Sequence, residues 1–121
     1  MSRVLIVDDD MTSREILTSI VLDAGHDAVT AENGEEALAV YKRQPVDLVF
    51  LDIFMPEKEG LETLKELLVL QKNLPVVAMT GGSAFTSFEP LNWAKNLGAT
   101  RAILKPVERK EVLAILADLD G

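Results

Sequence analysis

The chain has 121 residues, the length of one ordinary domain, and contains no cysteine, which excludes disulfides and thiolate zinc sites. Its formal charge of −8 at pH 7 would repel a phosphate backbone, so a direct nucleic-acid partner is not expected. No segment resembles a signal peptide or is apolar and long enough to span a membrane. We therefore expect a single cytoplasmic domain over residues 1–121.

Short apolar runs alternate along the chain with longer segments of helical periodicity. The predicted strands are Arg3–Val7, Asp27–Ala31, Asp47–Leu51, Val76–Met79 and Arg101–Leu104. Between them, apolar residues recur at spacings of three and four, which predicts helices. This alternation is typical of βα units, in which parallel strands form one sheet with helices on both faces.

Two of the predicted helices begin at polar residues with capping-box spacing. Thr12 with Glu15 has this spacing at the start of the first helix, and Asn33 with Glu36 has it before the helix Gly34–Arg43. In such a pair the first side chain accepts a hydrogen bond from an amide in the first helical turn. We therefore expect the first helix to begin at Thr12 and the second at Asn33.

Apolar stripes and glycines define the remaining helix boundaries. The stripes are Ile16, Leu17, Ile20, Val21 and Ala24; then Leu61, Leu64, Leu67 and Leu68; then Val112, Ile115, Leu116 and Leu119. Gly25 and Gly98 lie where helices should end, because glycine readily adopts the left-handed conformation of a helix C-terminus. The predicted helix between Glu89 and Leu97 has the weakest pattern of the five.

Polar side chains with chemical potential follow the predicted strands at their carboxyl ends. They are Asp8, Asp9 and Asp10 after the first strand, Asp52 after the third, Thr80 after the fourth, and Lys105 with Pro106 after the fifth. In an open parallel sheet, ligands bind beyond this edge, close to the point where the strand order reverses. We therefore expect these side chains to meet.

Asp8, Asp9 and Asp52 would then place several carboxylates within a few ångströms of one another. Each like-charge pair costs about 4 kcal/mol at about 4 Å and an effective dielectric of about 20, and a divalent cation would relieve this repulsion. Oxygen ligands favour Mg²⁺ or Mn²⁺ over zinc. With the cation bound, one carboxylate can attack phosphorus, while Lys105 and the Thr80 hydroxyl stabilise phosphoryl oxygens.

Four short motifs occur in a fixed order along the chain. They are Val4-Leu5-Ile6-Val7-Asp8-Asp9, then Asp52-Ile53-Phe54-Met55-Pro56 with Gly60, then Ala78-Met79-Thr80-Gly81, and finally Leu104-Lys105-Pro106. Through these motifs the chain resembles the receiver domains of bacterial two-component response regulators over essentially its full length. The resemblance implies an α/β, flavodoxin-like, doubly wound parallel sheet of five strands in order 2-1-3-4-5, flanked by five helices.

The resemblance also implies a set of metal ligands and a phosphoacceptor. Asp52 would accept the phosphoryl group from a histidine kinase or a phosphotransfer protein. Asp9 and Asp52 would bind Mg²⁺ directly, Asp8 would bind it through water, and the backbone carbonyl of Phe54 would complete the protein ligands.

The phosphoryl group would be sensed by Thr80 and Lys105, with a cis Lys105-Pro106 bond aiming the lysine at the pocket. The domain would act as a switch and not as an enzyme, although it would assist its own phosphorylation and dephosphorylation. Its partner would be an unknown downstream protein or output domain.

Ala102 departs from the pattern of this family, which usually has tyrosine or phenylalanine three residues before the lysine. The usual aromatic switch therefore cannot operate in its ordinary form. Either another side chain reports the movement of Thr80, with Phe85, Phe88 and Trp93 as candidates, or the output surface is unusual. The segment Gly81–Pro90 is also about three residues longer than is typical of this family.

Two other functions remain open at this stage. Asp8-Asp9-Asp10-Met11-Thr12 also fits the nucleophile motif of haloacid dehalogenase-like phosphatases, with Asp8 as the nucleophile, although that interpretation leaves Asp52 without a role. A receiver-like interaction module that is never phosphorylated is the second alternative. The complete set of acids, threonine and lysine argues against it, and Ala102 keeps it open. Asp10 is interpreted as a cap or a surface acid, and His26 as an ordinary loop residue.

Overall fold

The computed structural model describes residues 2–53, 59–81, 96 and 98–120. Its strands are β1 Arg3–Val7, β2 Asp27–Ala31, β3 Leu48–Asp52, β4 Val76–Gly81 and β5 Arg101–Lys105. Its helices within these residues are α1 Met11–Asp23, α2 Gly34–Arg43, α3 Glu59–Leu70 and α4 Arg109–Asp120. The strands form one parallel sheet in order β2-β1-β3-β4-β5, which confirms the predicted flavodoxin-like fold. Apart from Asn96, which is helical, the predicted helix between Glu89 and Leu97 lies outside the described residues.

Side chains of the central strands alternate between two cores, one on each face of the sheet. Leu5, Val7, Val49 and Leu51 pack with residues of α2 and α3 on one face. Val4, Ile6, Leu48 and Phe50 pack with residues of α1 and α4 on the other. Because both faces are covered, β1 and β3 are almost continuously apolar instead of alternating with polar residues.

Three strands end at different residues from those predicted. The third strand is Leu48–Asp52 instead of Asp47–Leu51, and β4 and β5 extend beyond their predicted ends to Gly81 and Lys105. The prediction ended each strand where its apolar run ended, whereas backbone pairing continues through polar residues. Asp52 pairs with Met79 in the ladder, and the Ile53 amide still donates to the Met79 carbonyl oxygen at 3.0 Å.

Asp10 caps the N-terminus of α1, so the prediction that this helix begins at Thr12 was wrong. The Asp10 carboxylate accepts hydrogen bonds from the Thr12 amide at 3.3 Å and from the Ser13 hydroxyl at 3.0 Å. The helix thus begins at Met11, one residue before Thr12, and the carboxylate of Asp10 occupies the capping position. At α2 the prediction is confirmed, because Asn33 Oδ1 accepts from the Glu36 amide at 2.8 Å.

Gly25 ends α1 as predicted, with a φ of 90°. Its amide donates to the Leu22 carbonyl at 3.0 Å, and the His26 amide donates to the Val21 carbonyl at 3.2 Å. This pair of bonds is a Schellman motif, which needs a residue in the left-handed conformation. Gly98 also has the expected positive φ, at 98°.

The predicted stripe on α1 is only partly buried. Leu17, Ile20 and Val21 are in the core, whereas Ile16 is 46% exposed. His26 lies in the loop between α1 and β2, as predicted; it is buried there, and its Nδ1 accepts a hydrogen bond from the Ser2 amide at 3.1 Å. None of the helices in the described ranges has the length and apolar character needed to cross a bilayer.

Candidate functional site

The register of the sheet brings the predicted site residues to one edge. Val7 pairs with Leu51, Asp52 with Met79, and Gly81 with Lys105. Asp8 therefore leaves β1 beside the end of β3, and Thr80, the residue before the last of β4, lies on the other side of β3. Lys105 is the last residue of the neighbouring edge strand β5.

Three acidic side chains converge there. The carboxylates of Asp8, Asp9 and Asp52 each place an oxygen within 4.8 Å of the others. Asp8 and Asp52 are buried, and Asp9 is exposed at the rim. The cluster therefore combines two acids that the fold removes from water with one that faces solvent.

Lys105 lies between the two buried acids. Its Nζ is 2.7 Å from Asp8 Oδ2 and donates a hydrogen bond to Asp52 Oδ2 at 2.9 Å. Burial alone would lower the pKa of Lys105, but hydrogen bonding and electrostatic attraction from Asp8 and Asp52 outweigh it and raise the pKa. The lysine therefore stays charged, and the Lys105-Pro106 bond that follows it is cis, as the resemblance implied.

Asp8 has several contacts besides its ion pair. Its Oδ1 accepts from the Asp10 amide at 2.9 Å, and its own amide donates to the Ala31 carbonyl at 3.1 Å. The Asp8 side chain is also completely buried, whereas 6% of the Asp52 side chain is exposed, so Asp52 is the more accessible of the two carboxylates.

Thr80 contributes a buried hydroxyl to the same edge. The residue is 1% exposed, and within the described part of the chain its Oγ1 has no hydrogen-bond partner. A buried hydroxyl without a partner costs about 1–3 kcal/mol. Such a group is suited to donate to a ligand atom.

Asp10 belongs to the helix cap and not to the acid cluster. Its pKa is lowered mainly by the hydrogen bond from the Ser13 hydroxyl; desolvation opposes this, and the backbone amides of Thr12 and Ser13 lower it further. This agrees with the interpretation of Asp10 as a cap.

Gly60 explains why the third-strand motif needs glycine at this position. A Cβ on Gly60 would lie 2.4 Å from the carbonyl oxygens of both Asp52 and Ile53. Real side chains do not approach backbone atoms so closely, so any larger residue would push α3 away from the end of β3. Gly60 therefore allows the helix to pack against the backbone that carries Asp52.

Several predicted residues lie outside the described ranges or away from the site. The residues outside the described ranges are Phe54, Phe85, Phe88 and Trp93. Ala102 pairs with Ala78 in the β4–β5 ladder and packs against the core that contains α2 and α3. At this point of the ladder two small side chains are neighbours.

Sequence analysis missed one residue that contacts the site. The guanidinium of Arg14 donates from Nη1 to the Asp8 carbonyl oxygen at 2.8 Å, and its Nη2 lies 3.8 Å from Glu32 Oε2. The available signal was a long basic side chain one helical turn after the cap Asp10, which places it beside the preceding loop.

Residues 4–117 match the family model described as the response regulator receiver domain. The chemotaxis protein CheY of Treponema pallidum (strain Nichols) is 38% identical over 120 residues, covering 97% of this chain and 81% of that protein. The transcriptional regulatory protein ZraR of Escherichia coli (strain K12) is 34% identical over 113 residues. The match covers 93% of this chain but 25% of ZraR, so the chain spans about a quarter of that relative.

Solved receiver domains have the same fold. The crystal structure of the receiver domain of NtrX from Brucella abortus superposes with a TM-score of 0.85 at 30% sequence identity, covering 96% of each chain. The chemotaxis protein CheY4 of Vibrio cholerae gives a TM-score of 0.85 at 29% identity, covering 98% of each chain. With the family match over nearly its whole length, the chain belongs to the response regulator receiver domain family.

Proposed function

We propose that the chain is a cytoplasmic phosphoacceptor switch in which Asp52 receives a phosphoryl group from a histidine kinase or phosphotransfer protein. The observation that carries the proposal is the position of Asp52, a buried carboxylate at the end of β3, within the acid cluster and 2.9 Å from Lys105. A nucleophile, a cationic partner and acidic neighbours are thus combined at one sheet edge.

The acid cluster fits a magnesium ion. Asp8, Asp9 and Asp52 offer only oxygen ligands within 4.8 Å of one another, a donor set that suits Mg²⁺ or Mn²⁺. Asp9 and Asp52 would hold the ion directly and Asp8 through water, with the Phe54 carbonyl as a further ligand. When bound, the ion would screen the repulsion between the carboxylate and the incoming phosphoryl group.

The chain's own residues support transfer as follows. An Asp52 carboxylate oxygen forms a bond to phosphorus while the bond between phosphorus and the donor's histidine nitrogen breaks. The products are an acyl phosphate on Asp52 and an unmodified histidine on the donor. Lys105 pairs with one phosphoryl oxygen, and the Thr80 hydroxyl donates to another.

The same contacts would produce the switch. Thr80 and Lys105 lie near the carboxyl ends of β4 and β5. Their movement toward a phosphoryl group would displace the edge strand β5 and the helix α4 that follows it. A downstream protein or output domain that binds one arrangement better than the other would then shift the equilibrium between them.

Neither alternative function is favoured by the geometry. In the phosphatase interpretation Asp8 is the nucleophile, yet its side chain is completely buried and its Oδ1 accepts from the Asp10 amide, whereas the Asp52 side chain is partly accessible. An interaction module that is never phosphorylated gives no reason for Lys105 Nζ to lie 2.9 Å from the buried Asp52 carboxylate.

The proposal is tested with a small phosphoryl donor. We expect acetyl phosphate with Mg²⁺ to add one phosphoryl group to the wild-type chain, as measured by intact mass, and to add none to Asp52→Asn. Asp27→Asn is the matched control. Asp27 is exposed at the first residue of β2, at the opposite end of the strands from the acid cluster, so this variant should be labelled normally. Labelling of Asp52→Asn, or no labelling of the wild type, would contradict the proposal.

A further inference from the structure

Arg14 connects three parts of the structure that meet beside the acid cluster. It lies on α1, its Nη1 binds the carbonyl oxygen of Asp8 at 2.8 Å, and its Nη2 approaches the Glu32 carboxylate at 3.8 Å. The Arg14 side chain is 17% exposed, whereas Glu32, which follows β2, is 61% exposed. The contact with Asp8 is therefore the better protected of the two.

The carbonyl that Arg14 binds belongs to the peptide unit joining Asp8 to Asp9. A peptide unit is planar, so a hydrogen bond that fixes its oxygen also fixes the orientation of the Asp9 amide. The Asp8 side of this unit is already held, because the Asp8 amide binds the Ala31 carbonyl and Oδ1 binds the Asp10 amide. Asp9 is the exposed member of the cluster, so its direction depends most on the backbone.

We propose that Arg14 is a positioning residue that holds the Asp8–Asp9 peptide so that the Asp9 carboxylate faces Asp52 and binds the divalent cation. This inference rests on the proposed function. Arg14 acts through the backbone and does not touch the cation or the phosphoryl group.

The planar guanidinium matters as well as its charge. Its fixed array of donors binds the carbonyl through one nitrogen while a second nitrogen faces Glu32, an arrangement that a lysine ammonium cannot reproduce with the same direction. Groups that orient metal ligands typically change metal affinity by about 10–100-fold when removed. Arg14→Lys therefore separates orientation from charge.

The test measures Mg²⁺ binding to the unphosphorylated chain by titration calorimetry, with urea unfolding in EDTA as a separate measure of stability. We expect Arg14→Ala to raise the Kd for Mg²⁺ about tenfold and Arg14→Lys to remain clearly weaker than wild type. Arg43→Ala is the control, because it removes the same charge from an exposed position at the last residue of α2 and should bind as wild type does.

The outcomes distinguish this inference from the proposed function. Wild-type Mg²⁺ binding with an unchanged Kd in Arg14→Ala would overturn the role of Arg14 alone. Wild-type Mg²⁺ affinity in Arg14→Lys, or a loss of affinity in Arg43→Ala equal to that in Arg14→Ala, would show that charge and not orientation matters. Either result would also overturn the role of Arg14. A wild-type chain that binds no Mg²⁺ would instead contradict the proposed function. If Arg14→Ala fails to fold, the comparison of Arg14→Lys with wild type decides.

Discussion

Lys105 Nζ lies 2.9 Å from Asp52 Oδ2, although 53 residues separate the two along the chain. The contact follows from the parallel sheet, in which β3 and β5 flank β4 and end at the same edge. Lys105 is also an ion-pair partner of Asp8, so one cation balances two buried acids. The proposed phosphoacceptor is thus held in a site whose charges are organised before any phosphoryl donor arrives.

This arrangement predicts how the contribution of Lys105 to the unfolding free energy depends on pH. Its pKa in the folded chain is raised above the ordinary value of 10.5, so its contribution is fully present below that value and is lost as pH rises through the folded-state pKa. In EDTA, the difference in unfolding free energy between wild type and Lys105→Met should stay constant from about pH 8 to about pH 10. A difference that declines below about pH 9 would show a lowered pKa instead.

Gly60→Ala should destabilise the fold and disturb phosphorylation together. The added Cβ would collide with the backbone of Asp52 and Ile53, and overpacking of this kind costs about 1–3 kcal/mol. Urea unfolding should show this loss, and acetyl phosphate should label Asp52 more slowly at urea concentrations far below the transition.

Gly25→Ala is the control for that experiment. Its Cβ would meet no heavy atom within 4 Å, but its φ of 90° is unfavourable for alanine, so it should cost about 1 kcal/mol or more. Labelling should remain normal, because Gly25 is at the end of α1 that leads into the start of β2, away from the acid cluster. Equal loss of labelling in both variants would attribute the Gly60 effect to stability alone.

Thr80→Val should leave the unmodified chain as stable as wild type or more stable by about 1 kcal/mol. Valine has nearly the shape of threonine and removes a buried hydroxyl that has no partner among the residues described. Beryllofluoride with Mg²⁺, which mimics the phosphoryl group, should then raise the urea midpoint of the variant less than that of wild type. A variant of lower stability with a full response to beryllofluoride would contradict the assigned role of Thr80.

Asn33→Ala should lower the unfolding free energy by about 1 kcal/mol, because it removes the side chain that caps α2. Thr12→Ala should change stability by less than about 0.5 kcal/mol, because Asp10 and not Thr12 caps α1. Urea unfolding of both variants checks the comparison. Equal losses would restore Thr12 as the residue that caps α1.

The strands, and the position of the site at their carboxyl ends, could be predicted from the sequence because their causes are local. Continuous apolar runs such as Val4–Val7 indicate strands buried on both faces, and the residues after them necessarily lie at the carboxyl ends. Strand termini were less accessible, since the polar Asp52 continues the ladder through its backbone. Apolarity marks where a strand enters the core but not where its hydrogen bonds stop.

The errors have equally specific causes. Asp10 and Thr12 both have side chains that can cap a helix, and spacing alone does not decide between neighbouring candidates. The burial of His26 and the contact of the Arg14 guanidinium with the Asp8 carbonyl oxygen depend on how the surrounding chain packs. Such contacts are set by three-dimensional packing, which local patterns do not specify.

The role of Asp52 is tested most directly by locating the phosphoryl group on the chain. The wild-type chain is incubated with acetyl phosphate and Mg²⁺, the acyl phosphate is reduced with borohydride, and the modified residue is located by peptide mass spectrometry. We expect modification at Asp52 alone. Modification at Asp8, as the phosphatase interpretation requires, or at no residue at all, would contradict it.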